Sequence, residues 1–220
     1  MIREKKSEEV PLSLSATARY DGEDVKRQLL EDQHEKCYIC ERKLGTDFQI
    51  DHFKSQENYS NLRQDWRNLF LACGYCNGKK SDRFDNNISP LDVNVEDEIE
   101  QRIDFNHNKA SFRAVIDDEQ HRNTVEMLCR FYNGKQNKRL IKEERFFDEA
   151  KQKMISFLRK VYNYQMDSTR ENRDIVAEEL SVEKEMLGFK YWTIIDCHLG
   201  NEFRNEIIWN KVWIIRQQTI

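Results

Sequence analysis

Apolar residues recur at intervals of three, four and seven through the second half of this chain. Val125, Leu128, Cys129 and Tyr132 share one helical face from about residue 119, and Asn133-Gly134 ends that run. Leu140, Phe147, Ala150, Met154, Leu158 and Val161 continue the period and predict an amphipathic helix near 137–163. Ile175, Val176, Leu180 and Leu187 predict another. Nearer the start, Val25, Leu29 and Leu30 line a helix that opens at Asp21 or Gly22 and reaches His34. Two short segments, 48–53 and 111–116, read as strands. Residues 1–20, with Pro11, read as an extended arm. Residues 84–100 read as a linker, because Asn86-Asn87-Ile88-Ser89-Pro90 breaks structure ahead of an acidic run. Residues 189–216 carry Tyr191, Trp192, Trp209 and Trp213 and are compatible with either helix or strand.

Composition narrows the fold. Two Pro and seven Gly in 220 residues are too few for the turns of an all-β sandwich, so the expected class is α+β and mainly helical. Twelve Phe, eight Tyr and four Trp supply apolar surface for a core. No stretch approaches the roughly 20 apolar residues of a membrane helix. The charged start lacks the apolar run of a signal peptide, so a soluble cytoplasmic protein with no membrane partner is expected. Net charge is -4, with 36 basic and 40 acidic residues. Residues 1–100 hold a net -6 and residues 101–145 a net +3. A protein that grips nucleic acid over its whole surface is usually basic, so such contact here needs local patches or a partner.

Six cysteines change the picture further. Cys37, Cys40, Cys73 and Cys76 form two Cys-x-x-Cys pairs. A single pair is as consistent with redox chemistry as with metal. Two pairs in a reducing compartment point to Zn²⁺, since each knuckle aims two thiolates at one ion and two knuckles complete its tetrahedral sphere. Four thiolates leave no open position, so this zinc is structural. Gly74, inside the second knuckle, is expected to supply backbone freedom. Cys129 and Cys197 lack partners at metal spacing and read as small buried hydrophobes.

Between the knuckles lie Asp51-His52 and, further on, Asn68; Asn77 follows the second knuckle directly. Adjacent residues on a strand point to opposite faces, so Asp51 and His52 can take different roles. A carboxylate and an amide oxygen suit a hard ion such as Mg²⁺, and a neutral imidazole suits general-base work near pH 7. Taken singly, each has a plainer reading: a satisfied Asp-His pair, or an Asn that caps a helix.

Taken together, in this order, they resemble the HNH endonucleases in their zinc-stapled ββα-metal form, over about residues 37–82. The resemblance implies that His52 is the general base that activates a water. It implies that Asp51 and Asn77 hold a catalytic Mg²⁺ or Mn²⁺, and that Asn68 orients the loop carrying the histidine. Lys79, Lys80, Arg83, Arg63 and Arg67 then become candidates for contacts with nucleic acid, against the plainer reading of a solvated face. Two features depart from the family pattern. Asn77 stands where the last histidine would, and the proline that often follows the Asp-His pair is replaced by Phe53-Lys54-Ser55-Gln56.

The wider layout runs from arm and helix (1–20, then 21–95 including the nuclease module) to a mainly helical region (96–220). It is similar to the HNH nuclease subunits of Septu and retron-linked antiphage defence systems. That similarity implies a bacterial effector working with an ABC-type ATPase partner (PtuA-like) on a nucleic acid, DNA being favoured. A stand-alone nuclease of restriction type, a tRNA-cleaving effector and a non-catalytic zinc adaptor that binds nucleic acid are the alternatives. Lys135, Lys138, Arg139 and Lys142 form the densest basic cluster outside the module and read first as a solvated helix face.

Overall fold

The computed structural model describes residues 1–203 and Glu206. Trp209 and Trp213 lie outside the described residues.

The N-terminal segment is packed against the body. Met1 and Ile2 are buried, and a short helix, α1 (Leu12–Thr17), begins directly after Pro11, whose fixed φ suits a helix start. Helix α2 (Glu23–Asp32) opens at Gly22 with Glu23 and Asp24 in its first turn, where the helix dipole favours acid. Val25 and Leu29, one turn apart, are fully buried. The helix stops where His34 and Glu35 take left-handed backbone angles.

Strands β1 (Phe48–His52) and β2 (Leu69–Cys73) pair antiparallel, with Asp51 opposite Phe70 and His52 opposite Leu69. Helix α3 (Gly74–Lys80) follows β2 directly and completes a ββα unit. All five residues of β2 are buried, as expected for a strand covered on both faces.

The segment expected as a linker is instead structured. It holds a helical turn, α4 (Val95–Glu98), which leads straight into β3 (Ile99–Asp104). That strand pairs antiparallel with β4 (Lys109–Ala114) in register from Ile99 opposite Ala114 to Asp104 opposite Lys109. The acidic run disguised this because its neighbours Val95 and Ile99 are both fully buried. Trp192, almost a hundred residues later, donates to the carbonyls of Glu96 and Ile99.

Helix α5 (Glu119–Asn133) is capped by the Asp118 side chain and ends at Gly134, whose φ of +77° any side chain would strain. Helix α6 (Ile141–Met166) starts a few residues later than the periodicity suggests, after Gln136 and Asn137 make a tight turn in left-handed conformation. Helices α7 (Arg170–Glu179), α8 (Leu187–Asp196) and α9 (Gly200–Phe203) follow, so the segment left open by sequence is helical as far as it is described. The architecture is α+β and mainly helical.

One buried cluster runs from Met1 to Phe203. Tyr75 of α3 stacks on Phe146 of α6 at 4.2 Å. Phe146 in turn meets Tyr132 of α5 at 4.9 Å, and Tyr132 meets Phe189 of α8 at 5.3 Å. Glu41, just past the first knuckle, accepts from the backbone of Leu187 and Gly188 at the start of α8. The ββα unit therefore rests on the C-terminal helices through aromatic and buried polar contacts. Among the described residues no helix is long and apolar enough to cross a membrane.

Candidate active site and zinc knuckles

Cys37, Cys40, Cys73 and Cys76 are all buried, and their four sulfurs lie within 4.8 Å of one another. The sulfurs of Cys40 and Cys73 are 3.9 Å apart. A disulfide would require about 2.05 Å. Four thiolates at about 2.3 Å from a tetrahedral Zn²⁺ stand about 3.8 Å apart, so the cluster fits that ion. In the first knuckle Glu41 takes a left-handed angle, letting Cys37 N–H reach the Arg42 carbonyl at 2.9 Å. Gly74 serves a different purpose from the one expected. Its φ is ordinary, but a Cβ there would sit 2.8 Å from the Asp47 carboxylate, so the knuckle needs the space. Cys129 and Cys197 are half-buried and pack against the core.

Strand alternation separates Asp51 from His52. Asp51 is buried, and its Oδ2 accepts from the Tyr38 hydroxyl at 2.5 Å. Lys80 of α3, also buried, places its ammonium 3.3 Å from Oδ2 and 3.4 Å from Oδ1, and donates to the His52 carbonyl at 2.7 Å. Burial raises the Asp51 carboxyl above its ordinary value, and the Lys80 charge opposes that rise.

The His52 ring Nε2 meets the Arg63 carbonyl at 3.0 Å, and Nδ1 meets the Gln56 side-chain amide at 3.1 Å. A carbonyl only accepts, so Nε2 carries the hydrogen and Nδ1 is the basic nitrogen. Tyr20 packs edge-on against the ring at 4.9 Å. Burial lowers the imidazole below its ordinary value, which keeps it neutral at pH 7.

Two side chains shape the loop after His52. Asn68 accepts from Lys54 N–H at 2.7 Å and donates to the carbonyls of Lys54 and Leu62. Asp85 accepts from the Ser55 N–H and hydroxyl, both at 2.6 Å, and from Asn58 at 2.8 Å. These bonds fix the loop in a chain that lacks the usual proline. Asn77 donates to Gln49 at 2.5 Å, on the same side of β1 as Asp51.

A ββα unit stapled by four cysteines, with Asp and His adjacent on its first strand and a loop-holding Asn before its second, has a counterpart among known families. Residues 37–83 match the HNH endonuclease family. The chain is 41% identical over 59 residues to the Septu protein PtuB of Bacillus thuringiensis. That stretch covers 26% of this chain and 23% of the relative, so the likeness spans under a quarter of the relative's length. No solved structure matches the chain significantly.

Of the basic residues expected near phosphates, Lys80 is buried against Asp51. Lys79 pairs with Glu143 at 2.5 Å, Arg67 with Asp92 at 2.7 Å and Arg83 with Glu126. Arg63 is exposed, its guanidinium over the Tyr20 ring, which itself packs against His52. Arg139, from the second basic cluster, is committed to the carbonyls of Tyr132 and Asn108 and lies 3.6 Å from the Phe147 ring centroid. His121 is buried between Asp118 and Glu98.

The donors on the α3 side of β1 suit a small hard cation. They are one carboxylate (Asp51) and the amides of Asn77 and Gln49. Such oxygen sets bind Mg²⁺ or Mn²⁺ through few protein ligands, with waters filling the remaining positions. Gln49, Tyr38, Gln56 and the Arg63 carbonyl were not singled out by sequence. Gln49 was accessible through its two-residue spacing from Asp51; the others join the site through folding alone.

Proposed function

We propose that this protein is a metal-dependent HNH endonuclease that hydrolyses phosphodiester bonds in nucleic acid, DNA being the favoured polymer. The observation that carries the reading is the division at β1. Asp51 faces α3 and its amides, while His52 faces the other way with its tautomer set by the Arg63 carbonyl. His52 Nδ1 takes the proton from the attacking water once the Gln56 amide yields that position. Arg63 holds the ring while it carries the extra proton, and Asn68 and Asp85 hold the loop behind it. Asp51 and Asn77 would hold the divalent ion, which when bound polarises the phosphate and stabilises the leaving 3′ oxygen. Lys80 and Tyr38 balance and orient Asp51.

We further infer a role as the nuclease effector of an antiphage system acting with an ABC-type ATPase. Its support is the likeness to the Septu protein PtuB over 59 residues. The net charge of -4 and the acid pairing of Lys79, Arg67 and Arg83 are consistent with a partner that supplies much of the grip on substrate.

The experiment is cleavage of plasmid DNA and of a tRNA pool with Mg²⁺ or Mn²⁺, by wild type and His52→Ala, alone and with the ATPase. Cutting by wild type only, in either setting, supports the nuclease. Equal behaviour of zinc-loaded wild type and His52→Ala in both settings removes it and leaves the binding adaptor.

A further inference from the structure

We propose that Tyr38 is a positioning residue for the divalent-metal site, transmitting the geometry of the zinc knuckle to the Asp51 carboxylate through its phenol. This rests on the reading of Asp51 as a metal ligand.

Tyr38 lies inside the first Cys-x-x-Cys, so zinc closure fixes its backbone on both sides. Its N–H donates to the Leu71 carbonyl of β2 at 3.2 Å, which docks the knuckle on the sheet. Its ring stacks on Phe70 at 4.6 Å with planes 26° apart. Phe70 is the cross-strand partner of Asp51. The phenol therefore crosses from knuckle to strand with no freedom to swing, and it ends 2.5 Å from Asp51 Oδ2.

The two oxygens of Asp51 are thereby made unequal. Oδ2 accepts the short hydrogen bond, while Oδ1 has Lys80 at 3.4 Å, beyond the usual range for a strong N–H···O bond. The phenol anchors Oδ2, whereas Oδ1 is held only by the longer Lys80 contact, which a divalent ion would displace. A carboxylate that must both turn and ligate loses rotational freedom on binding; one already held by a hydrogen bond does not. Loss of such an outer partner typically costs about 10–100-fold in metal affinity. The structural zinc then does more than staple the fold, since it supports the residue that orients the carboxylate.

The test titrates Mn²⁺ into zinc-loaded wild type, Asp51→Asn and Tyr38→Phe, following the free-Mn²⁺ EPR signal, with zinc content and melting temperature measured on each. Tyr38→Phe removes one oxygen and keeps the ring stack. The expected result is retained zinc and Mn²⁺ binding weakened about 10-fold or more. The Mn²⁺ concentration for half-maximal cleavage should rise in parallel, with the rate restored at saturating Mn²⁺. A merely structural role would lower zinc content and maximal rate together. Should Tyr38→Phe not hold zinc, Tyr38→Leu, which likewise lacks the phenol, is read in the same way. Wild-type Mn²⁺ affinity in a zinc-loaded Tyr38 variant, with binding lost in Asp51→Asn, overturns the proposal and leaves the metal site standing. Equal binding by wild type and Asp51→Asn overturns the metal-ligand reading itself, and this proposal with it.

Discussion

Lys80 and Asp51 form a buried ion pair, 3.3 Å apart, beneath the strand that carries His52. The side chains are 3% and 9% exposed, so neither charge has water as a substitute partner. Replacing Lys80 by Met leaves a buried carboxylate uncompensated and should destabilise the protein by about 3–5 kcal/mol. Pairing it with Asp51→Asn should return most of that loss, because no buried charge then remains. Urea denaturation of the two single variants and the double variant checks both statements; an additive double variant would show that the pair is not coupled.

The four sulfurs form one buried cluster, so Cys76→Ser should lose zinc together with the fold of the ββα unit. Cys129→Ser, at a half-buried position outside the cluster, should retain full zinc content. Metal analysis and circular dichroism, before and after chelation, distinguish them.

His52→Ala should reduce cleavage about a hundred- to ten-thousand-fold while zinc content and melting temperature stay near wild type. The base acts in its neutral form, and burial lowers its pKa. The rising limb of rate against pH should therefore lie below the ordinary histidine value of about 6.5. A pH–rate profile at saturating metal checks the position of that limb.

Asn68 makes three hydrogen bonds to the backbone of Lys54 and Leu62 from a buried position. Asn68→Ala should cost roughly 2–3 kcal/mol and cut activity out of proportion to that loss, since the loop after His52 is released. Kinetics at a temperature where the variant is fully folded separate the two effects.

His121 sits between Asp118 at 2.8 Å and Glu98 at 2.9 Å, and those acids raise its pKa against the opposing effect of burial. Its protonated form is the one folding favours. The stabilisation is fully present below about pH 6.5, the unfolded value, and is lost as pH rises through the folded value. The stability difference between wild type and His121→Gln should thus shrink from pH 6 to pH 9. Denaturation curves at both ends test the sign.

Local signals made much of this protein legible. The helical period marked α2, α5, α6 and α7 because each keeps an apolar face long enough to repeat, as with Val25 and Leu29 or Met154 and Val161. Strand β3 gave no such signal. Ile99, Glu100 and Gln101 are all buried in succession, the acid held by Arg102 and Arg113, so no alternation is visible. The linker reading failed for the same reason: Asn87 and Glu96 are polar yet buried, and only distant contacts make that tolerable.

At the site, spacing named the four cysteines, and the resemblance to the HNH endonucleases named Asp51, His52, Asn68 and Asn77 as candidates, since both rest on the order of residues along the chain. It placed Lys80 among phosphate contacts, because a lysine after a helix turn looks solvated when its neighbours are unknown. Which amide meets His52, which carbonyl sets its tautomer, and which phenol and ammonium hold Asp51 were decided by the tertiary structure. Those partners come from positions 4 to 29 residues away, and burial converts each meeting into an energetic requirement that no local pattern records.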